Sequence, residues 1–353
     1  MDIRKSAVDL EASEREKFRE ALIKLKHKPA PGTSADVSVY DQYVALHRAV
    51  MAVRAPGFPD PINFGHWNIG FCPWHRPYLR LFEKALQAEV PGVTIPYWDW
   101  TDHVDAINEL FTPTFLSSLI ASSPPRPITD GLLRNLVPEA ERPDWWPEGA
   151  QGFLVNPLLE EGLGTALTRG LTPGNPGVGW PPSRSQMERL ERLVVDRPDS
   201  HPFWFFWLVL EAGHPQMLRT HNAGHNIIGG HMGRGFSPND PIFWLHHANV
   251  DRIWANWQRN RLQDVPSSTH ADHWPSPDEP SPIDGELAPP GHRVNDPMWP
   301  WVGNVQGYDT ESVVPEVKSL LPDFSQVEPV TVRDVLDTEA MGYRYNPPKN
   351  GSN

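Results

Sequence analysis

The sequence is poor in cysteine and in basic residues. Its 353 residues include one cysteine, Cys72, so no disulfide can form within the chain and the fold does not require an oxidising compartment. Lys and Arg together number 31 against 44 Asp and Glu, which gives a formal net charge of −13. Because nucleic-acid phosphates are bound by clustered basic side chains, this balance argues against a nucleic-acid partner.

Long hydrophobic segments and targeting segments are also missing. The longest apolar run, "FWFFWLVL" at 203–210, is far shorter than the roughly 20 residues that a membrane-spanning helix needs. The N-terminal "MDIRKSAVDLEASEREKF" has neither the apolar segment nor the cleavage site of a secretory signal. We therefore expect a soluble, cytoplasmic protein without a membrane partner; export together with a partner protein is the alternative.

Proline and tryptophan, in contrast, are abundant. The 40 prolines predict short elements joined by rigid loops, and the 15 tryptophans indicate an aromatic core. No internal repeat of fixed period is found. We expect residues 1–345 to form a single domain and residues 346–353 to be a disordered tail.

Apolar periodicity predicts five main helices. They cover "DLEASEREKFREALIKLK" with an Asp or Ser cap, "SVYDQYVALHRAVMAV", "CPWHRPYLRLFEKALQAE", "RTHNAGHNIIGG", and the stretch after Asp240 and Pro241. Pro77 is expected near the first turn of the third helix, and "VTIPYWDW" is expected to be extended. The predicted fold is mainly α, a four-helix bundle with long proline-rich loops and few short strands.

Histidines recur on the inward faces of these helices. Three lie on the apolar stripes of different helices, two lie four residues apart on one helix, and one lies in the loop "NFGHWNIGF". They form an N-terminal and a C-terminal group: His47, His66 and His75, and His221, His225 and His247. A buried imidazole is costly unless its nitrogens find partners, so the two groups indicate metal ligands.

The ligand chemistry restricts the metal. Imidazole suits zinc, copper, iron and nickel. The paired stretch is "HNAGH", with Asn222 and no Glu where the zinc-protease motif needs one, and non-haem iron usually takes a carboxylate ligand. Two neutral three-histidine sites that face each other therefore favour a pair of copper ions.

These motifs resemble the tyrosinase and catechol oxidase family of type 3 copper proteins, in its short bacterial form. The matching stretches are "YDQYVALH", "GHWNIGFCPWHRPYLRLFEKAL", "IPYWDW", "HNAGH", "SPNDPIFWLHHANVDRIW", "GHRVNDPMWPW" and "GYRY". The resemblance extends over nearly the whole chain, from "IRKSAVDL" onward.

The resemblance implies an oxidase with two copper ions and dioxygen as co-substrate. It implies that the N-terminal histidine group binds copper A and the C-terminal group copper B. Such an enzyme hydroxylates monophenols at the ortho position, oxidises o-diphenols to o-quinones, or both. The alternatives are an o-aminophenol oxidase and, in a different class, an O₂ carrier of the haemocyanin kind. A copper-delivery protein could be a further partner.

The resemblance also suggests residues for proton transfer. Family members active on monophenols have a Glu upstream of the first copper B histidine and an Asn directly after it, and together these hold a water that acts as base. Asn222 matches the Asn, and Glu211 is the candidate for the Glu. Alternatively, Glu211 pairs with Arg219, and Asn222 is only a helix cap.

Three further residues are predicted to contact the substrate: Arg234, Asn226 and His246. Arg234 stands where related enzymes have an uncharged gate residue, so it predicts a preference for phenols that carry a carboxylate. The alternative is a solvated arginine in a glycine loop. His246 lies about 100° around the helix from His247 and could instead orient its neighbours.

Overall fold

The computed structural model shows a mainly α fold with a few short strands, which confirms the predicted fold class. None of the helices it describes is long and apolar enough to cross a membrane. It describes residues 1–347 except 35, 59, 102–107, 121, 171–181, 194–200, 214–219, 263–269, 272, 281–284, 286, 306 and 325–326.

The helices bring the distant histidine motifs into one core. They are α1 (Ala12–His27), α2 (Val39–Ala49), α3 (Phe71–Glu89), α4 (Arg184–Glu191), α5 (Pro202–Ala212), α6 (His221–Ile228), α7 (Ile242–Leu262) and α8 (Pro315–Lys318). Helix α7 packs against α3 and α6, and α1 packs against α2 and α3. The ring of Trp244 on α7 stacks on Phe82 of α3, with the centroids 3.5 Å apart.

The strands form two small sheets outside the helical core. They are β1 (Asp2–Arg4), β2 (Arg126–Pro127), β3 (Thr168–Arg169) and β4 (Tyr343–Tyr345). β1 pairs in parallel with β4, and β2 pairs antiparallel with β3. The first sheet therefore joins the beginning of the chain to its C-terminal part. The backbone of Asn346 is also bonded to Arg4, whereas most of the predicted tail, 348–353, lies outside the described residues.

A buried ionic network ties this sheet to the helices. Asp251 of α7 accepts hydrogen bonds from Arg76 Nε of α3 at 2.5 Å and from Arg4 of β1 at 3.3 Å. The hydroxyls of Tyr343 and Tyr345 each donate to the same carboxylate at 2.6 Å. Burial alone would raise the pKa of Asp251, but the two guanidinium groups lower it, so the carboxylate stays charged.

Some local predictions were wrong. Helix α1 begins with a capping box formed by Glu11 and Glu14, not with an Asp or Ser cap. Pro77 lies inside α3, beyond its first turn. In contrast, the stretch "VTIPYWDW" lies outside the helices as predicted, and Tyr97 makes an isolated bridge with Ser6.

Helix α5 is absent from the sequence predictions. Its run "FWFFWLVL" is apolar on every side, so it has no 3.6-residue periodicity to reveal a helix. The start of the helix is nevertheless encoded locally. Pro202 occupies its first turn, and the His201 side chain accepts a hydrogen bond from the Phe203 amide at 3.2 Å.

Candidate metal centre

The six predicted ligands lie in two compact clusters inside the fold. One consists of His47, His66 and His75, and the other contains His221, His225, His247 and also His246. Within each cluster the candidate ligand nitrogens lie within 4.8 Å of one another. Helices α2, α3, α6 and α7 position all of them except His66, which lies in the loop before α3.

The C-terminal cluster has the spacing of ligands around one ion. The Nε2 atom of His221 lies 3.0 Å from that of His225 and 3.2 Å from that of His247. The Nε2 atoms of His225 and His247 are 3.3 Å apart. Nitrogens bound tetrahedrally at metal–nitrogen distances of about 2.0–2.1 Å are separated by about 3.3 Å. The three rings are therefore placed to share one metal ion.

The outer ring nitrogens fix the protonation of two histidines in this cluster. His225 Nδ1 donates to the Met232 carbonyl oxygen at 2.7 Å, and His221 Nδ1 donates to Asn222 Oδ1 at 2.9 Å. With the proton on Nδ1, the neutral imidazole has its lone pair on Nε2. Lone pairs that converge at such distances repel one another unless a cation lies between them. A metal-binding histidine usually donates its other ring N–H to an oxygen in this way.

In the N-terminal cluster, His47 and His75 follow the same rule. His47 Nδ1 donates to the Gly235 carbonyl oxygen at 3.1 Å, and His75 Nδ1 donates to the Phe71 carbonyl oxygen at 2.8 Å. Their Nε2 atoms are buried and have no partner among the described residues. Buried polar atoms normally have a partner, so these two nitrogens are consistent with metal ligands.

The two clusters face each other across a short distance. The rings of His75 and His247 stack with centroids 4.2 Å apart and planes 13° apart. The His66 and His221 centroids are separated by 6.4 Å. The arrangement can therefore hold two ions side by side between the helices.

Burial keeps these imidazoles neutral. It lowers the pKa of His75 to about 3 and that of His225 to about 4, and it places the pKa of the other four well below the usual value of 6.5. A metal binds only the unprotonated nitrogen. The six rings are therefore competent ligands at neutral pH.

His246 is the fourth histidine of the C-terminal cluster. It is completely buried, its Nδ1 accepts a hydrogen bond from Trp100 Nε1 at 3.1 Å, and its ring stacks on His221. This position suits the orienting role. Substrate contact by His246 stays a prediction, as it does for Asn226, which is exposed on α6.

Glu211 occupies a position that sequence reasoning could not define. It is buried on α5, and its carboxylate accepts hydrogen bonds from the Trp67 amide at 2.8 and 3.0 Å and from Trp207 Nε1 at 2.5 Å. Because Trp67 directly follows His66, Glu211 fixes the loop that carries this histidine. Burial raises the pKa of Glu211 to about 8. Arg219, the alternative partner, lies outside the described residues.

Asn222 and Arg234 lie next to the clusters. The cap of α6 is Thr220, so the capping alternative for Asn222 was wrong; its side chain instead binds His221. Arg234 is exposed and forms no ion pair within the described part of the chain. It directly precedes Gly235, whose carbonyl oxygen orients His47.

Two facing groups of buried histidines in a helical bundle define a protein that can hold a pair of metal ions. A profile of the common central domain of tyrosinase matches residues 37–144 and 182–260, and the chain belongs to the tyrosinase family. It is 33% identical to a tyrosinase of Streptomyces glaucescens over 308 residues, which cover 85% of this chain and 93% of the relative. Together these matches make the chain a tyrosinase-type oxidoreductase.

Solved structures show the same fold. A polyphenol oxidase from Thermothelomyces thermophila matches with a TM-score of 0.60 and 23% identity, covering 98% of this chain and 89% of that chain. A functional unit of octopus haemocyanin matches with a TM-score of 0.54 and 22% identity, covering 98% and 68% of the two chains. These likenesses concern the fold alone.

Proposed function

We propose that the chain binds two copper ions and uses dioxygen to oxidise phenols. Copper A would be held by His47, His66 and His75, and copper B by His221, His225 and His247. The observation that carries the proposal is the convergence of the Nε2 atoms at 3.0–3.3 Å in one cluster, with the protons of His221 and His225 held at Nδ1. Membership of the tyrosinase family favours copper over the other metals that imidazole suits.

The reaction would be ortho-hydroxylation of monophenols, oxidation of o-diphenols to o-quinones, or both. The bound copper pair would supply the activation of dioxygen and the oxidation of the ring. The chain itself would exclude water from the centre through burial. It would also hold the ligand rings in one tautomer through Asn222, Met232, Gly235 and Phe71.

Hydroxylation of a monophenol first needs the phenol proton to be removed. We assign this task to a water held by Glu211 and Asn222. Their positions support the assignment, because α5 packs against α6, Glu211 binds Trp67 directly after His66, and Asn222 binds the ring of His221. Glu211 must be ionised to strengthen the base. Trp67 and Trp207 favour its ionised form, but burial outweighs them and raises the pKa to about 8, so the base should become stronger as the pH rises toward that value.

The proposal also covers the preferred substrate, the domain organisation, the cellular location and the delivery of copper. An exposed Arg234 beside the centre supports carboxylate-bearing phenols as preferred substrates. We also propose that residues 1–345 fold as one domain, which the pairing of β1 with β4 supports. Cytoplasmic location and copper delivery by a partner protein complete the proposal.

Oxygen uptake by the copper-loaded chain tests the proposed function. The panel contains a monophenol, a catechol and a 2-aminophenol, each with and without a carboxylate. We expect oxygen consumption with formation of an o-quinone from the catechol. Turnover restricted to the 2-aminophenol would favour the aminophenol oxidase. Reversible oxygen binding without consumption would favour the carrier, whose fold the octopus protein shares.

A further inference from the structure

A groove lined by tryptophan opens beside His66. Its walls include Phe58, Trp67, Trp204, Trp207 and Leu287, and it has a volume of about 370 Å³. This volume lies in the range of about 300–1,000 Å³ that is typical of small-molecule sites. We call it the Trp67 groove. Neither the copper ligands nor the proton-transfer residues of the proposed function account for it.

The groove gathers apolar side chains that are exposed to solvent. Trp67 is 63% exposed, Leu287 50% and Phe58 42%. Scattered exposed apolar residues need no explanation, but a contiguous patch beside a reactive centre indicates a binding surface. Behind it, the indoles of Trp204 and Trp207 meet edge to face, with centroids 6.3 Å apart. The walls therefore suit a flat aromatic group.

Trp67 is held in place at an energetic cost. Its φ of +61° is in the left-handed region, which is uncommon for a residue with a bulky side chain. The Glu211 carboxylate stabilises this backbone by accepting the hydrogen bond of the Trp67 amide. Such strain tends to be retained where it places a group for function. Here it places an exposed indole directly after His66.

The polar groups of the groove select the ligand further. Trp204 is 4% exposed, and its Nε1 has no hydrogen-bond partner among the described residues. A buried donor of this kind needs an acceptor, which a carbonyl or ether oxygen of a ligand would supply. Apart from His66, the only ionisable side chain that lines the groove within the described residues is Asp60, so an anionic ligand is disfavoured.

We propose that the Trp67 groove binds the distal, uncharged aromatic part of a phenolic substrate, with an acceptor oxygen bound by Trp204. The groove reaches the histidine centre at His66, so one elongated molecule can occupy both. This inference rests on the proposed function. It extends the substrate class from single phenol rings to phenols that carry a second ring.

Matched substrates and variants test the groove. The substrates are catechol, a benzyl-substituted catechol and a benzoyl-substituted catechol, which differ by a ring and by a carbonyl oxygen. Trp204→Phe removes the N–H donor and retains an aromatic ring. It should lower kcat/KM for the benzoyl compound relative to the benzyl compound by about fivefold, the loss expected for one hydrogen bond. An unchanged ratio would overturn the role of Trp204.

Trp67→Asn tests whether the Trp67 indole contacts the second ring of the substrate. Asn tolerates the left-handed backbone and keeps the amide that Glu211 binds, but it lacks the indole. It should lower kcat/KM for the benzyl compound relative to catechol. The matched control is Leu136→Ala, because Leu136 is 61% exposed and does not line the groove; it should leave the ratio unchanged. An equal ratio in wild type and Trp67→Asn would refute the proposed role of the Trp67 indole.

Binding to the metal-free protein separates this proposal from the proposed function. Benzophenone carries two rings and a carbonyl oxygen but no phenol to oxidise, and calorimetry or ligand-observed NMR can follow it. We expect binding that Trp67→Asn abolishes and Trp204→Phe weakens about fivefold. If the metal-free protein binds benzophenone but the copper-loaded protein oxidises no phenol, the groove is supported and the oxidase is refuted. Phenol oxidation without binding of benzophenone would refute the groove alone.

Discussion

At the scale of single residues, the position of one proton decides whether a histidine can be a ligand. His47, His75, His221 and His225 each have an acceptor oxygen at Nδ1, so the other nitrogen offers its lone pair. Spacing on predicted helices, together with one loop motif, sufficed to predict two groups of histidines, and the fold brings each group together. Spacing could not show the acceptors, because three of them are backbone carbonyls whose direction depends on the folded chain.

The hydrogen-bond partner of Glu211 could not be predicted from the sequence either. Its partner Trp67 is 144 residues away in the chain, and nothing in the local sequence links the two. The contact gives Glu211 a structural role beside the proposed proton transfer, which is to hold the His66 loop. A substitution there should therefore affect both proton transfer and the geometry of the loop.

Glu211→Gln is predicted to reduce monophenol turnover about a hundredfold or more, the typical contribution of a general base. Catechol turnover should fall less, through the weakened hold on Trp67, because an amide accepts fewer hydrogen bonds than a carboxylate. Oxygen uptake on a matched monophenol and catechol measures both. Trp207→Phe, which removes one donor and keeps the carboxylate, is the control and should cause a smaller loss. Equal losses of both substrates in Glu211→Gln would contradict the base role.

Arg234→Ala is predicted to reduce the preference for carboxylate-bearing phenols. Because Arg234 is exposed, the expected change in kcat/KM for the acid relative to its amide is only about two- to fivefold. Arg344→Ala removes the same charge from an exposed position on β4 and should leave the ratio unchanged. The interpretation fails if the acid-to-amide ratio is the same in wild type and Arg234→Ala.

At the scale of elements, helices with an apolar stripe were predictable and other elements were not. Helices α2, α3 and α7 carry stripes with His47, His75 and His247 on them, and these stripes are buried as expected. Helix α5 is apolar all round and offers no stripe, although it carries Glu211. The position of Pro77 inside α3 shows that packing outweighs a single unfavourable residue.

The ion pairs between elements give a stability prediction. Asp251→Asn removes the carboxylate that α3, β1 and β4 share. It leaves Arg76 buried without its counter-charge, whereas Arg4 keeps its ion pair with Glu83. The free energy of unfolding in urea should fall by about 3–5 kcal/mol. Glu20→Gln, which breaks the partly exposed pair with Lys24, should cost no more than about 0.5 kcal/mol. Similar losses in the two variants would contradict this account of the network.

At the scale of the whole molecule, the fold buries many neutral histidines close to one another. The net charge of −13 and the composition could predict none of this, because burial is a property of the assembled helices. The unfolded chain protonates histidine near pH 6.5, whereas burial lowers the pKa of His75 to about 3 and of His225 to about 4. Between these values the unfolded state binds more protons than the folded state.

Acid should therefore destabilise the metal-free protein. As the pH falls from 7 to 5, each of these two histidines should reduce the free energy of unfolding by about 2 kcal/mol. Urea unfolding at several pH values in this interval measures the slope, and His225→Asn, with one such group fewer, should show a shallower one. Stability that stays constant or rises between pH 7 and 5 would refute the prediction.

The most direct test of the central claim is elemental analysis of purified, active protein. We expect two copper ions per chain, one of which is lost in His247→Ala. His231→Ala should retain both ions, because His231 is buried, bonded to Thr168 and outside both clusters. Active material that contains zinc or iron in place of copper would contradict the account.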